Sequence, residues 1–517
     1  MPNRNSRQQA DAIAFLSDPA SHGQTGPVDR VDTHANIVFL VGDHGWKIKR
    51  AVRLPYLDFS TLENRHAACR REVDINRRFA PDIYLDCVPI VRRPAGGGLA
   101  LGGTGEVVEW AVKMRRFPQS ALLSRVASAG PLRSEIATGV ADTVFDSHVH
   151  AERRVSADGA GPQRRLLTSL AQSLQQKAVL PTGDLRRFAQ RARDQLDAAA
   201  NCLDERAVRG YVRRCHGDIH LANIVLWQGH PRLYDAIEFD EEMATIDTLY
   251  DLAFLLMDLE RYGQRRAGNE VLNHYLYRGN DAHDLAGLRA LPLFLGLRAA
   301  VRAMVSFEHA RLEPAAAGNT HNERGHAYFA AAQTFLAPRP PQLFAVGGLS
   351  GTGKTTLAAG LAPTLGSAPG AVHIRSDLER KALFKVEATV RLGATSYSPE
   401  VNQSVYAALC NKARLVLAAG HSVIVDAVFA NSEERCGVEA VAAELQVPFR
   451  GLWLDAEPPA LMSRVANRKG DASDATADVV RTQLALDRGA LSSTWTTLDA
   501  NGPEAQVLAR ASSLFSH

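Results

Sequence analysis

A glycine-rich loop between an apolar run and a helical pattern constrains the fold of this chain more than any other feature. Residues 347–356 read GGLSGTGKTT and match the pattern G-x-x-x-x-G-K-[ST], with Gly348, Gly353, Lys354 and Thr355 at the defining positions. The run LFAV precedes the loop and the pattern TTLAAGLAPTL follows it. Such a strand–loop–helix unit predicts a phosphate-binding site, because loop N–H groups and the helix dipole attract anionic oxygens.

The residues of this loop have separate expected tasks. Lys354 should reach the β- and γ-phosphates of ATP, and the Thr355 hydroxyl should bind Mg²⁺. The rest of the loop should approach the phosphates closely, and this set comprises Gly348, Ser350, Gly351, Thr352, Gly353 and Thr356. A chance glycine-rich turn is the alternative, but the order of strand, loop and helix argues against it.

Apolar runs that end in aspartate follow the loop and alternate with helical patterns. They are AVHIRSD, HSVIVD and FRGLWLD, which end at Asp377, Asp426 and Asp455. This alternation predicts an α/β domain with a parallel sheet, whose site lies at the carboxyl ends of the strands. We expect Asp426 to hold Mg²⁺, often through water, as the Walker B carboxylate. Asp377 should orient or deprotonate an acceptor hydroxyl, or alternatively cap a helix.

Two arginines come next, in LMSRVANRKGD. Arg464 and Arg468 are spaced i, i+4 and share one helix face, where a mobile lid could neutralise the transferring phosphoryl group. A solvated basic face is the alternative. The stretch 343–517 resembles the small P-loop kinases through its loop and the motifs SDLERK and VIVDAVF. That group includes chloramphenicol phosphotransferase, zeta toxin and the end-domains of polynucleotide kinases.

The front of the chain carries a second motif, CHGDIHLAN at 215–223. It resembles the catalytic loop of aminoglycoside phosphotransferases and choline-kinase-like enzymes, which share the protein-kinase fold. The resemblance implies that Asp218 is the catalytic base or hydroxyl-orienting residue and that Asn223 binds magnesium. The alternative is a polar loop in which Asp218 acts as a cap.

The next segment should supply a second metal ligand. The residues IVLWQGHPRLYDAIEFD predict a hairpin with strands at 224–227 and 232–239. The resembling family has IDW or IDF here, whereas this chain has IEF, so Asp235 and Glu238 are both candidates. On an ideal strand they would face opposite sides, and we favour Asp235. Asp251, in a segment like the family's DLA helix, should brace the catalytic loop.

The N-terminal lobe should hold a lysine on a strand and a glutamate on a helix. Lys47 and Lys49 lie on one face of a predicted strand, and a helical pattern carries Glu72. We expect Lys47 to pair with Glu72 and bind the α- and β-phosphates; an exposed basic strand is the alternative. No GxGxxG loop precedes these lysines, which is a departure from protein kinases. The segment EWAVKMRRF at 109–117 should be the hinge between the two lobes of the kinase-like domain, where backbone groups bind adenine. His148 and His150 are interpreted as part of a solvated loop and not as metal ligands.

A proline-rich segment, FLAPRPPQLFAVGG at 335–348, marks the predicted domain boundary, because its prolines cannot continue a helix. Residues 1–338 should form an α+β protein-kinase-like (aminoglycoside phosphotransferase-like) domain, and residues 343–517 a P-loop kinase domain with a parallel sheet. The whole chain resembles bacterial fusions of these two domains. This resemblance implies a bifunctional ATP- and Mg²⁺-dependent phosphotransferase that acts on hydroxyl groups of small molecules.

Composition limits the other function classes. The 517 residues include 59 basic and 56 acidic side chains, and the formal net charge of +3 gives no electrostatic reason to expect nucleic acid or a membrane surface. The six scattered cysteines fit a reducing compartment, and no apolar run predicts a signal peptide or a membrane span, so we expect a cytoplasmic protein.

Three hypotheses remain open: two active kinases, one P-loop kinase with a silent regulatory front domain, and a non-enzymatic ATP-dependent switch.

Overall fold

A computed structural model describes residues 4–33, 35–54, 57–94, 97–312, 315–467, 472–485 and 489–515. The chain forms two compact units. Unit 1 consists of Met1–Val155 with Gly210–Leu255, and unit 2 consists of Ser156–Arg209 with Leu256–His517. This division by packing does not follow the sequence-based boundary at 338–343, because residues 256–338 fall into the same unit as the P-loop sheet.

Unit 1 contains an antiparallel sheet of six strands and three short two-stranded pairs. Its strands are β1 Asp29–Asp32, β2 Asn36–Val41, β3 His44–Lys49, β4 Arg53–Leu54, β5 Leu57–Asp58, β6 Tyr84–Arg92, β7 Leu99–Leu101, β8 Glu106–Arg115, β9 Val212–Arg214, β10 Ile224–Trp227, β11 His230–Leu233 and β12 Thr245–Asp247. Its helices are α1 Arg4–Ser17, α2 Leu62–Asn76, α3 Leu123–Ala129, α4 Ser134–His150, α7 Glu241–Ala244 and the first part of α8 Thr248–Arg261.

Side-chain alternation builds the core of unit 1. In β2 the alternate residues Ile37, Phe39 and Val41 are buried, as the period of a strand requires. They pack with Ile48 and Val108 on one face of the sheet. On the other face lies α2, whose first turn is capped by the Thr61 hydroxyl, and this packing brings Glu72 against β3.

Unit 2 contains a helical part and a five-stranded sheet. Its helices are α5 Ala160–Lys177, α6 Thr182–Val208, the end of α8, α9 Arg265–Gly279, α10 Ala282–Gly287, α11 Leu291–Leu312, α12 Ala315–Phe335, α13 Lys354–Leu361, α14 Ser376–Leu383, α15 Pro399–Ala418, α16 Ser432–Glu444, α17 Pro458–Ala466, α18 Ala477–Leu484 and α19 Glu504–Phe515. Its strands are β13 Leu343–Gly348, β14 Val372–Arg375, β15 Val423–Asp426, β16 Phe449–Asp455 and β17 Trp495–Asp499.

The sheet of unit 2 is parallel throughout, in the order β14-β15-β13-β16-β17, which confirms the α/β prediction. Its apolar strands pack against α13 and α19 through Phe344, Val346, Leu357 and Val507. The carboxyl ends of β13, β14 and β15 therefore meet at one edge, where ligands bind in sheets of this kind.

One helical stretch of the described residues, 282–312, is long and apolar enough to cross a membrane. However, 72% of its most apolar window is buried inside the protein. That burial is typical of a core helix.

Candidate functional site

Two buried lysines of β3 meet one glutamate of α2. Glu72 is fully buried, and its Oε1 and Oε2 lie 2.8 Å from Lys47 Nζ and 2.7 Å from Lys49 Nζ. Burial alone would raise the pKa of Glu72, but the two ammonium groups outweigh it and hold that pKa below its usual value. The structure therefore contains the expected contact between Lys47 and Glu72, and Lys49 shares the same carboxylate.

Two further carboxylates close this cluster from the segment after β11. Asp235 Oδ1 lies 2.6 Å from Lys47 Nζ. Glu238 Oε1 lies 2.5 Å from Lys49 Nζ. The strand predicted over 232–239 is wrong, because β11 ends at Leu233 and Asp235 has a left-handed φ of 60°. This turn lets both carboxylates reach the lysines, whereas an ideal strand would separate them. We name as the lysine-pair cluster the residues Lys47, Lys49, Glu72, Asp235 and Glu238.

Two side chains hold the backbone around Asp235. Its N–H donates to Tyr84 Oη at 3.2 Å, and the N–H of Ala236 donates to Asn76 Oδ1 at 2.8 Å. A left-handed backbone costs a non-glycine residue about 1–2 kcal/mol, so these bonds offset strain. Sequence reasoning missed Tyr84 and Asn76, because nothing in the pattern places them beside residue 235.

The two candidate metal ligands differ in access to solvent. The Asp235 side chain is 44% exposed, whereas that of Glu238 is 8% exposed. Burial alone would lower the pKa of Lys47, but the charges of Asp235 and Glu72 outweigh it and raise that pKa well above its usual value. Lys47 therefore stays charged beside the accessible carboxylate.

The loop between β9 and β10 brings together the two residues that the motif singled out. Asn223 Nδ2 donates to Asp218 Oδ2 at 2.9 Å and to the Asp218 carbonyl oxygen at 3.1 Å. Among the described residues, none donates a hydrogen bond to Asn223 Oδ1. Carboxylate and amide oxygens are the donors that Mg²⁺ prefers, so Asn223 and Asp235 fit a magnesium ligand set.

Asp251 of α8 braces this loop, which confirms the prediction. Its two carboxylate oxygens accept from His216 N and Gly217 N, both at 3.1 Å. His216 Nδ1 accepts from Asp218 N at 3.3 Å, and Nε2 then donates to Tyr234 O at 3.0 Å. Burial lowers the pKa of His216 and favours this neutral form. His216, which ties the loop to the segment after β11, was missed from the sequence.

The two histidines that the sequence placed in a solvated loop lie on a helix instead. His148 and His150 occupy the last turn of α4, and His148 is buried. His148 Nε2 lies 3.3 Å from Asp251 Oδ2, and Cys215 Sγ is part of the same buried group. The prediction failed because the i, i+2 spacing of two polar residues does not distinguish a loop from a helix end. Since Asp251 already accepts two backbone N–H groups, we assign His148 to the bracing of the loop.

The phosphate-loop pattern folds as predicted at the carboxyl end of β13. Gly348 and Gly351 have left-handed φ values of 134° and 88°. A Cβ added at these positions would lie 2.6 Å from Leu454 O and 2.7 Å from Leu461 O. Only glycine allows both the conformation and the close approach, so the pattern has a steric cause here.

Lys354 opens α13, and Thr355 follows it toward β15. Lys354 Nζ donates to Leu349 O at 3.0 Å and thus lies over the loop. Thr355 Oγ1 donates to Asp426 Oδ2 at 2.5 Å. Burial alone would raise the pKa of Asp426, but His373 and the charge of Lys354 outweigh it and lower that pKa. An ionised carboxylate beside a hydroxyl is a donor set that fits Mg²⁺.

Asp377 lies at the same edge but not where the strand pattern ended. β14 ends at Arg375, and Asp377 stands in the first turn of α14. The alternative role as helix N-cap is wrong, because Arg375 occupies the N-cap position. Arg375 pairs in register with Asp426, so α14 starts beside the Asp426 carboxylate.

Arg464 contacts the phosphate loop from α17. Its guanidinium donates to Gly351 O at 3.4 Å and to Ala500 O at 2.9 Å. The expected mobile lid arginine is therefore bound to backbone oxygens in this structure and braces the loop. Arg468 lies outside the described residues.

Comparison with known proteins agrees with this two-part organisation. Residues 343–488 match the family described as AAA domain. "Uncharacterized protein Rv2004c" of Mycobacterium tuberculosis (strain ATCC 25618 / H37Rv) is 30% identical over 493 residues, which cover 94% of each chain. "Uncharacterized protein Mb2027c" of Mycobacterium bovis has the same identity and coverage.

Two solved structures are similar to portions of this chain. A choline/ethanolamine kinase family protein from Mesorhizobium loti is 16% identical and covers 64% of this chain and 99% of its own, with a TM-score of 0.38. A gluconokinase from Sinorhizobium meliloti 1021 is 21% identical and covers 35% of this chain and 99% of its own, with a TM-score of 0.25. These scores are low, so the fold assignment depends on the strand order and the paired residues described above.

The sequence relatives match at 30% identity and extend over nearly the whole of both chains. The protein therefore belongs to the family of these mycobacterial proteins, and its residues 343–488 form the part that matches the AAA domain.

Proposed function

We propose that the chain is an ATP- and Mg²⁺-dependent phosphotransferase that moves the γ-phosphate of ATP to hydroxyl groups of small molecules at two sites. One site belongs to a kinase-like domain over 1–338, and the other to a P-loop domain over 343–517. The observation that carries this proposal is the lysine-pair cluster, in which a charged lysine, a buried glutamate and an accessible aspartate meet. A silent domain would not need that arrangement of charges.

In the P-loop site each residue has a distinct task. Lys354 and the loop N–H groups bind the β- and γ-phosphates, and Thr355 and Asp426 hold Mg²⁺. The metal, when bound, neutralises charge on the transferred group. Asp377 takes the proton of the acceptor hydroxyl as its oxygen bonds to the γ-phosphorus. The bond from that phosphorus to the bridging oxygen breaks, and its electron pair leaves with ADP.

In the front site other residues carry out the same transfer of the γ-phosphate to a hydroxyl group. Lys47, held by Glu72, binds the α- and β-phosphates, and Asp235 with Asn223 holds the metal. Asp218 orients the acceptor hydroxyl and accepts its proton. The hydrogen bond from Asn223 Nδ2 to Asp218 Oδ2, at 2.9 Å, supports this proposal because it keeps the two side chains at one site.

A second candidate is a single P-loop kinase with a regulatory front domain. The observation in its favour is that both candidate metal ligands, Asp235 and Glu238, are already paired with lysines. If those pairs persisted with ATP bound, the front unit would bind nucleotide without chemistry.

The test is transfer of labelled γ-phosphate by the full chain to a panel of sugars, amino sugars, nucleosides and amino alcohols. We expect Asp218→Asn to lower transfer at the front site by about 10²–10⁴-fold with ATP affinity nearly unchanged, because it removes a positioned base. Lys354→Ala should leave that front activity intact. If Asp218→Asn changes no transfer and Lys354→Ala removes all of it, the regulatory candidate replaces the two-site proposal.

A further inference from the structure

β14 is an edge strand of the parallel sheet, and side chains of α9 pair with its outer backbone groups. Asn273 Oδ1 accepts from His373 N at 2.7 Å, and Asn269 Nδ2 donates to Ala371 O at 3.0 Å. The two asparagines are spaced i, i+4 and therefore share one face of the helix. An edge strand otherwise presents unpaired N–H and C=O groups, so these bonds fix where β14 lies.

The side chain of His373 points from this strand to the carboxylate of the P-loop site. Its Nε2 lies 3.6 Å from Asp426 Oδ2, and the side chain is 9% exposed. Within the described residues this buried nitrogen has no hydrogen-bond partner. A buried polar atom left unpaired costs about 1–3 kcal/mol, so its position beside Asp426 requires an explanation.

Thr355 and His373 both approach the same oxygen of the Asp426 carboxylate. The Thr355 hydroxyl donates to Oδ2, and His373 Nε2 faces that oxygen as well. Oδ1 accepts no hydrogen bond from any residue in the described ranges. The Thr355 hydroxyl bonds Oδ2, and the His373 ring stands 3.6 Å from that same oxygen, so Oδ1 is the oxygen left for a metal ligand.

We propose that His373 is a positioning residue for the Asp426 carboxylate and that Asn273 of α9 sets His373 in place. The helical segment 265–279 would thereby set the metal affinity of the P-loop site. This inference rests on the proposed function of that site, and it assigns to residues far apart in sequence a task that the loop motif does not contain. Groups that orient a metal ligand typically change metal affinity about 10–100-fold when removed.

The test uses the full chain with the front site silenced by Asp235→Ala, and Mn²⁺ as a probe that is visible by electron paramagnetic resonance. In the presence of ATP, His373→Ala should lower Mn²⁺ affinity about 10-fold. His373→Gln, whose amide N–H can reach the same oxygen, should restore most of it. ATP affinity in EDTA should be the same for the Asp235→Ala parent and for the two His373 variants made in it, because His373 does not belong to the phosphate-binding groups.

A matched pair at Asn273 tests the helix separately. Asn273→Asp keeps the acceptor for His373 N and should bind Mn²⁺ nearly as the parent does. Asn273→Ala removes that acceptor and should bind Mn²⁺ more weakly, even if His373→Ala does not fold. Equal Mn²⁺ affinities for the two Asn273 variants, or for parent and a folded His373→Ala, would overturn the inference. Failure of the parent to bind ATP with Mn²⁺ would instead overturn the proposed function and this inference with it.

Discussion

At the scale of single residues, the two carboxylates after β11 do different work. Asp235 is accessible and stands on a strained backbone held by Tyr84 and Asn76. Glu238 is buried against Lys49, whose Nζ also contacts Glu72. A strained, exposed carboxylate suits metal binding, whereas a buried ion pair suits the anchoring of a lysine.

We expect Asp235→Ala and Glu238→Ala to separate these roles. Asp235→Ala should reduce the Mg²⁺ dependence of ATP binding at the front site. It should lower the unfolding free energy less than Glu238→Ala does, because the Asp235 carboxylate is 44% exposed and solvent screens its ion pair with Lys47. Glu238→Ala should lower the unfolding free energy by about 3–5 kcal/mol, because it leaves a buried ammonium short of one partner. Asp240→Ala, which removes only the cap of α7, is the control. Magnesium titration and chemical denaturation measure the two effects. If Glu238→Ala reduced the Mg²⁺ dependence and Asp235→Ala gave the larger loss of unfolding free energy, the two roles would be reversed.

The charge of Glu72 predicts a pH dependence. Its pKa is held below the unfolded value, so its stabilisation is fully present above about pH 4.3 and is lost as pH falls toward the folded pKa. Glu72→Gln should therefore cost much more unfolding free energy at pH 7 than near pH 3. Glu63→Gln, on the exposed side of the same helix, is the control for the loss of a carboxylate from this helix. A cost for Glu72→Gln that is independent of pH would contradict the charge assignment.

Some of these residues could be predicted from the sequence and others could not. Lys47 and Glu72 could be predicted because the resemblance to kinases implies a lysine on a strand paired with a glutamate on a helix, and this part of the chain shows both patterns. His216, Asn76 and Tyr84 reach the site only through the folded backbone. No local pattern shows which distant carbonyl or N–H a buried polar side chain will meet.

At the scale of elements, the P-loop sheet was predictable because apolar strands alternate with helical patterns and each strand ends in a polar residue. The hairpin after the catalytic loop was only half predictable. β10 matches the predicted range, but β11 stops at Leu233, since alternation of residue types cannot reveal a left-handed residue at Asp235. Proposals about α9 likewise depend on tertiary contacts of Asn269 and Asn273 that helix periodicity does not contain.

The start of α8 offers a prediction at this scale. Asp251→Ala removes the acceptor for two buried N–H groups of the catalytic loop. It should lower the unfolding free energy by about 2–6 kcal/mol, since each unsatisfied buried donor usually costs about 1–3 kcal/mol. Transfer that depends on Asp218 should fall as well, while ATP affinity at the P-loop site stays the same. An unchanged denaturation midpoint and unchanged front-site transfer would show that α8 does not brace the loop.

At the scale of the whole molecule, the sequence predicts two nucleotide-binding folds, and the structure contains a candidate site for each. The proline-rich segment at 335–348 suggested a boundary from chain stiffness alone. The packing of residues 256–338 with the P-loop sheet could not be foreseen in this way, because it depends on side chains such as Asn269 and Arg265 that bond to backbone oxygens.

The central claim is that the chain has two separate nucleotide sites, and the number of ATP molecules bound per chain tests it most directly. Equilibrium dialysis of the full chain with labelled ATP and Mg²⁺ should give a stoichiometry of two for the wild type and one for Lys354→Ala, because the lysine-pair cluster is untouched by that change. A wild-type stoichiometry of one that falls to zero in Lys354→Ala would contradict the account.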